Sequence, residues 1–371
     1  MAVDDHALMA RALALAENGL YTTTPNPRVG CVITDRHGKI LGEGWTQPAG
    51  QNHAEIQALQ DARRKGHDLR GATAYVTLEP CSHFGRTPPC CNALIDAGIA
   101  RVVAAVEDPN PLVAGKGLEK LKAAGIEVST GVGADAAREI NAGFFSRILR
   151  GRPFVRMKIA ASLDGKTALA NGESKWITGD AARADGHHWR ARSCAVLTGI
   201  GTVLADDPAL NVRAVVTPRQ PRRIIVDSHL RTPPTAKILI GGNTLIAYSH
   251  GNTDKQTALT EAGAAIRASG GADGRIELAG LLAALGAEGC NELLVEAGAT
   301  LNAAFIQSGL VDEYLIYLAP RFLGDPARGL ARLPDYHSMA EPPTLCFTAC
   351  TPVGEDLRIL ARPASNRPAS D

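Results

Sequence analysis

The chain has 371 residues, of which 45% are hydrophobic, and a formal net charge of +1 at pH 7. That length exceeds what one core usually holds, so two domains are expected, and the hydrophobic content leaves neither half disordered. The near-neutral balance and 4% aromatic content argue against a nucleic-acid partner, and no apolar run approaches the ~20 residues that would span a bilayer.

Met1 to Leu20 reads as a helix ending at Asn18-Gly19, with Asp4 and Asp5 standing where a signal peptide would carry basic residues. A cytoplasmic location is expected, where thiols stay reduced. The eight cysteines then point to metal ligation, catalysis or packing before disulfides. Val29 to Ile33 reads as a strand, His53 to Lys65 as a helix, Ala72 to Leu78 as a strand, and Cys90 to Ala97 as a helix. A strand at Arg101 to Val106 and a helix at Leu118 to Ala124 follow, then a strand at Ile126 to Ser129 and a long helix from Asp135 to about Leu149. This alternation predicts an α/β three-layer domain over residues 1–150, with a mostly parallel sheet covered on both faces.

Arg150-Gly151-Arg152-Pro153 breaks the preceding helix and marks the domain boundary. A second α/β domain is expected over 151–362. Its predicted strands are Phe154 to Ala160, Ala195 to Leu197, Arg223 to Val226, Thr244 to Ala247, Glu292 to Val295, Tyr314 to Tyr317 and Leu357 to Leu360. The Ala-, Ser-, Asn- and Pro-rich stretch 363–371 is expected to be disordered.

The strongest chemical signal lies between positions 53 and 90. His53-Ala54-Glu55 opens a helix, and Pro80-Cys81 and Pro89-Cys90 follow a strand. One imidazole and two thiolates make a three-ligand zinc site with the fourth position open to water, as catalytic zinc sites have. Zinc lowers the pKa of such a water to near 7, and Glu55, two residues from His53, can carry its proton to a leaving amine. Zinc deaminases share this order, a His-x-Glu followed by Pro-Cys-x-x-Cys. Here eight residues separate the cysteines instead of two. Cys91 and His83 are alternative ligands by residue type, and a fourth ligand would make the site structural.

The longer spacing is itself a feature of a known family. Glu79-Pro80-Cys81-Ser82-His83 and Gly85-Arg86-Thr87-Pro88-Pro89-Cys90, with Thr24 to Gly30 and Asp108-Pro109-Asn110-Pro111, closely resemble the bifunctional riboflavin-biosynthesis deaminase/reductases. That resemblance selects Cys90, directly after Pro-Pro, over Cys91. It implies a cytidine-deaminase-like N-terminal fold, one Zn2+ per chain on His53, Cys81 and Cys90, proton transfer by Glu55, and a substrate contact from Asn26.

The second half carries no Gly-x-Gly-x-x-Gly after its first strand. Two strand-to-glycine turns remain, Thr198 to Thr202 and Glu296 to Thr300. The latter could offer helix N–H groups to a diphosphate, or be only a tight connection. Lys158 to Lys166, Gly172 to Thr178, Thr202 to Pro208 and Val295 to Gly298 resemble the reductase half of the same family. The resemblance implies a dihydrofolate-reductase-like fold that uses NADPH. Cofactor contacts would be Ala160, Trp176, Thr202, Asp206, Ser228 and the turn Gly298, Ala299, Thr300, Leu301, Asn302, Ala303 and Ala304. Substrate contacts would be Ser174, Arg190, Leu210, Arg213 and Glu296. The implied substrate is a small phosphorylated pyrimidine, 2,5-diamino-6-(5-phosphoribosylamino)pyrimidin-4-one, deaminated and then reduced at its ribosyl group. No nucleic-acid or membrane partner is implied, and a homo-oligomer is expected. The alternative is a zinc deaminase of another nucleobase-like substrate joined to a non-catalytic binding domain.

Overall fold

The computed structural model describes residues 3–83, 88–111 and 113–364. Gly85, Arg86 and Thr87 of the cysteine insertion and residues 365–371 of the expected tail lie outside them. The chain forms two compact units, Met1–Gly151 and Arg152–Asp371.

In the first unit, α1 (Asp5–Glu17) leads to β1 (Gly30–Thr34), β2 (Ile40–Trp45) and α2 (Ala54–Arg64). Then come β3 (Thr73–Val76), α3 (Cys90–Asp96), β4 (Arg101–Ala104), α4 (Lys116–Ala123) and β5 (Glu127–Thr130), with α5 (Ala134–Ile140) and α6 (Ala142–Arg150) closing it. The sheet order is β2-β1-β3-β4-β5, with β1 antiparallel to both neighbours and β3, β4 and β5 parallel. Register shows why this is a three-layer unit. A Cβ on Gly30 would strike the backbone of Ala12 in α1, whereas one on Gly44 would strike Ala54 and Ala58 in α2. Gly44 pairs with Cys31, the neighbour of Gly30, so the two helices lie on opposite faces.

The sheet is mixed, with two antiparallel and two parallel pairings where a mostly parallel one was expected, and two further expectations differ. The strand Ile40–Trp45 was not foreseen, because Gly42 and Gly44 dilute its strand signal; both are small because α2 rests directly on them. The expected long helix from Asp135 is broken at Asn141. There the side-chain amide takes up the Arg28 backbone, accepting from its N–H at 2.7 Å and donating to its carbonyl at 2.9 Å.

The second unit runs β6 (Phe154–Ser162), β7 (Lys166–Ala168), α7 (Asp180–Arg192), β8 (Ala195–Gly199), α8 (Ile200–Asp206), β9 (Arg222–Val226) and β10 (Thr244–Tyr248). It continues with α9 (Thr253–Glu261), β11 (Ala264–Ala268), α10 (Leu278–Ala287), β12 (Glu292–Val295), α11 (Ala299–Gln307), β13 (Glu313–Ala319), β14 (Arg328–Gly329), β15 (Leu345–Val353) and β16 (Asp356–Pro363). Nine strands form one sheet, β11-β10-β9-β8-β12-β6-β13-β16-β15, parallel from β11 to β13 and antiparallel at the last two pairings. Alternation along β6 divides its residues between two faces. Val155, Met157, Ile159 and Ala161 enter one core, with Leu282 and Phe305, and Arg156, Lys158 and Ala160 face the other way. The last strand reaches Pro363, and Ala364 donates to the Thr344 carbonyl, so the first two residues of the expected disordered tail are paired instead.

Candidate active sites

The candidate metal-binding residues come from three places. His53 is the residue before α2, Cys81 follows β3, and Cys90 opens α3. The His53 imidazole makes no capping bond to its helix. Its Nδ1 instead lies 3.6 Å from Cys81 Sγ and 3.4 Å from Cys90 Sγ. All three donor atoms fall within 4.8 Å of one another, the one such cluster among the described residues. Tetrahedral bonds of about 2.0 Å to nitrogen and about 2.3 Å to sulfur put N and S roughly 3.6 Å apart, so this donor set fits zinc in chemistry and spacing. The Cys90 backbone N–H donates to Cys81 Sγ at 3.3 Å. Cys81 is drawn down to about 4, first by its hydrogen bond with the Cys90 thiol and then by His53, against the effect of burial.

Glu55 lies in the first turn of α2 and is 3% exposed. Burial, then the neighbouring Cys81, raises its carboxyl to about 7. Cys91, one of the alternative ligands, turns away and donates to the Pro80 carbonyl at 3.1 Å. His83, the other, is exposed and outside the cluster. Asn26 sits half-buried on the segment before β1. That segment is held by the buried Arg28, whose guanidinium donates to the carbonyls of Ile140 and Leu20.

Sequence reasoning gave Glu79 no role, and it proves to be the brace of this site. Its buried carboxylate accepts from the N–H groups of Asp108, Gly115 and Gly117 at 3.1, 2.9 and 2.7 Å. The Asp108-Pro109-Asn110-Pro111 motif is thereby tied to the turn that carries Cys81. The clue in the sequence was an acidic residue set between a strand and Pro-Cys.

In the second unit the two glycine turns occupy the carboxyl ends of β8 and β12, which are neighbours in the sheet. A Cβ on Gly298 would lie 3.8 Å from Thr202 Oγ1, and one on Gly199 would lie 3.3 Å from Leu301 Cδ2, so the turns abut. No side chain caps α8 or α11, which leaves helix N–H donors open at the edge where parallel sheets bind dinucleotides. Two buried oxygens nearby, Thr198 Oγ1 and Asn302 Oδ1, have no hydrogen-bond partner. These features fit an anionic nucleotide cofactor. Thr300 is exposed and Ala299, Leu301 and Ala304 are half-buried. Asn302 and Ala303 face inward, Asn302 donating to the Leu330 carbonyl at 2.8 Å. Ala160 lies half-buried on β6, Asp206 ends α8 and Ser228 follows β9. The neighbouring Asp207 is the loop anchor here, accepting from the Lys237 N–H at 2.8 Å. Trp176 is exposed, with the Arg183 guanidinium 4.6 Å above its ring.

Of the expected substrate contacts, Arg190 and Glu296 meet directly. Arg190 grips it with two bonds, Nε to Oε1 at 2.5 Å and Nη2 to Oε2 at 2.9 Å, and Lys158 Nζ lies 3.7 Å from Oε2. Burial raises the Glu296 carboxyl, but Arg190 and Lys158 outweigh it and hold it down at about 2. Burial lowers Lys158 from the ordinary lysine range. Arg190 also donates to the Asn211 carbonyl at 3.2 Å, so its fork is already engaged. Arg213 is exposed on the adjoining loop, and its N–H meets Nδ1 of the buried His187 at 3.4 Å. Burial, then Arg190, keeps His187 near 4, a neutral imidazole. Ser174 is half-buried, and Leu210 is buried with φ 46°.

Comparison with known proteins finds relatives of both domains. Residues 2–106 match the cytidine and deoxycytidylate deaminase zinc-binding region, and 153–359 match the RibD C-terminal domain. The Escherichia coli K12 riboflavin biosynthesis protein RibD is 47% identical, with 96% of this chain and 98% of that protein covered. Acinetobacter baumannii RibD, form 1, superposes with a TM-score of 0.89 at 45% identity, covering 97% of this chain and 99% of its own. A Thermotoga maritima diaminohydroxyphosphoribosylaminopyrimidine deaminase/5-amino-6-(5-phosphoribosylamino)uracil reductase gives 0.86 at 32% identity with the same coverage. With relatives this similar along almost its whole length, the chain belongs to the RibD family of riboflavin-biosynthesis enzymes, in which a deaminase domain precedes a reductase domain.

Proposed function

We propose that the first domain deaminates 2,5-diamino-6-(5-phosphoribosylamino)pyrimidin-4-one, and that the second reduces the ribosyl group of the product to ribityl phosphate with NADPH. The observation that carries this reading is the convergence of His53, Cys81 and Cys90 beside the buried Glu55. Those three residues would hold one zinc ion, which when bound supplies the Lewis acidity that makes water nucleophilic at neutral pH. Glu55 takes a proton from the attacking water and returns it to the departing amine, so that water and an aminopyrimidine give a carbonyl and ammonia. Asn26 orients the ring.

In the reductase, the turns at Gly199 and Gly298 would hold the cofactor's diphosphate, with Ala160, Trp176, Thr202, Asp206 and Ser228 along its length. Arg213 would bind the sugar phosphate, while Arg190, Ser174, Leu210 and Glu296 shape the sugar site. NADPH, when bound, supplies the hydride, and Lys158, held by Glu296, gives the accompanying proton. A cytoplasmic setting is supported by eight free cysteines, and among the described residues no helix is long and apolar enough to cross a membrane.

Glu55→Gln tests the central step. Ammonia release falls at least about a hundredfold, while zinc content and reduction of the deaminated intermediate stay at wild-type level. Ammonia release at the wild-type rate would remove Glu55 from the reaction.

A further inference from the structure

β9 and β10 run parallel beside β8 and end at the same sheet edge as the two glycine turns. Two histidines stand on this rim, His229 just past β9 and His250 just past β10. Both are exposed, and their rings are stacked with centroids 5.4 Å apart and planes 26° from parallel. Lys255, in the first turn of α9, reaches back so that Nζ donates to the His229 carbonyl at 3.3 Å. Among the described residues no carboxylate pairs with either imidazole or with this ammonium.

The loop presenting these groups is rigid. Asp227 is fully buried, and its Oδ2 accepts from the N–H and the hydroxyl of Thr232 at 2.7 and 2.8 Å. Leu230 is buried with φ 52°. Its side chain fills the space a Cβ on Gly251 would take, 2.3 Å from Leu230 Cδ1, which locks the β9 and β10 loops together. Both N–H groups of Ser249 and His250 point to the Ser228 carbonyl, at 3.1 and 2.6 Å.

In dinucleotide-binding sheets, the strand beside the diphosphate turn ends in the residue that reads the ribose 2′ position. A carboxylate there accepts from a 2′-hydroxyl, and a cation there accommodates a 2′-phosphate. Here Asp227, the carboxylate directly at the end of β9, is buried, with Oδ2 held by Thr232. Beside it stand the half-buried Ser228, two exposed imidazoles and an exposed ammonium. We infer that Ser228, His229, His250 and Lys255 seat the 2′-phosphate of the nicotinamide cofactor, and that this corner selects NADPH over NADH. The inference rests on the cofactor reading given above.

The test uses the full-length enzyme and the His229→Ala/His250→Ala and Lys255→Ala variants. KM is measured for NADPH and for NADH, and binding of 2′,5′-ADP is compared with that of 5′-AMP by calorimetry. The double variant raises KM for NADPH about tenfold or more and weakens 2′,5′-ADP to a similar degree, because charge-assisted phosphate contacts are lost. KM for NADH and binding of 5′-AMP do not change. Lys255→Ala shifts the same two quantities in the same direction. If the wild type prefers NADPH and both variants keep that preference undiminished, the 2′-phosphate lies elsewhere and the inference is overturned. If the wild type shows no preference and does not favour 2′,5′-ADP, the cofactor reading fails and the inference goes with it.

Discussion

Glu296 is held by two cations, Arg190 through a two-pronged contact and Lys158 at 3.7 Å, in a site where the carboxylate side chain is 11% exposed. Removing one partner from such a cluster costs more than the contact contributed, because the remaining charges stay buried without compensation. Glu296→Gln therefore destabilises the reductase domain by about 3 kcal/mol at pH 7, read from denaturant midpoints. The acid dependence has a defined sign. A carboxyl near 2 in the folded chain and near 4.5 unfolded gives stability that is full above pH ~4.5 and is lost as pH falls towards 2. The Gln variant lacks that contribution, so its stability falls less steeply across this window. Equal slopes for the two proteins would assign the acid sensitivity to other groups. The family resemblance implies Arg190 as a substrate contact, yet its guanidinium is committed to Glu296 and the Asn211 carbonyl. Residue type tells which charges a chain has, but a side chain over a hundred positions away decides which of them are already satisfied.

Helices and strands in the deaminase domain approach closely because glycines let them. Gly117 at the start of α4 would place a Cβ 2.1 Å from the Pro80 carbonyl and 2.9 Å from Glu79 Oε1. Neither atom is free to move aside: one is backbone, and the other belongs to a carboxylate whose two oxygens together accept from three N–H donors. Gly117→Ala therefore pushes the turn carrying Cys81 away from α4. It lowers the melting temperature of the domain by several degrees and weakens metal retention, measured as zinc per chain after dialysis. Full zinc content with an unshifted melt would mean that the loop yields easily. The periodic helices and apolar parallel strands were legible from sequence, since burial on both faces makes such strands uniformly hydrophobic. The strands that were not legible are short, glycine-containing or at a sheet edge. β2 carries two glycines, β11 closes one end of the reductase sheet, and β15 closes the other with alternating exposed residues and Pro352.

At the scale of the whole molecule, each domain has its own core and its own chemistry. Metal removal should separate the two. Dialysis against a chelator abolishes ammonia release and lowers the melting transition of the deaminase domain, because a site holding zinc only in the folded state adds its binding energy to folding. Reduction of the deaminated intermediate continues at the wild-type rate. Loss of both activities together would mean that the reductase depends on the metal site. The proposed zinc ligands stand out in the sequence because three metal-binding residues within 38 positions constrain one another. The proposed reductase contacts come only from family resemblance, since isolated arginines, serines and glycines spread from 160 to 304 have no spacing that chemistry demands.

β12 lies between β6 and β8 in the sheet although the chain reaches it after β11. A ribosome making the protein from its N-terminus delivers β6 and β8 long before the strand that must join them. At ordinary elongation rates the wait is on the order of ten seconds. During that interval the sheet exists as separate pieces with unpaired inner edges, the condition in which nascent chains aggregate or recruit chaperones. The same late strand leads into the α11 turn. The proposed nucleotide seat is thus completed late, and a reductase domain made only as far as β11 lacks it.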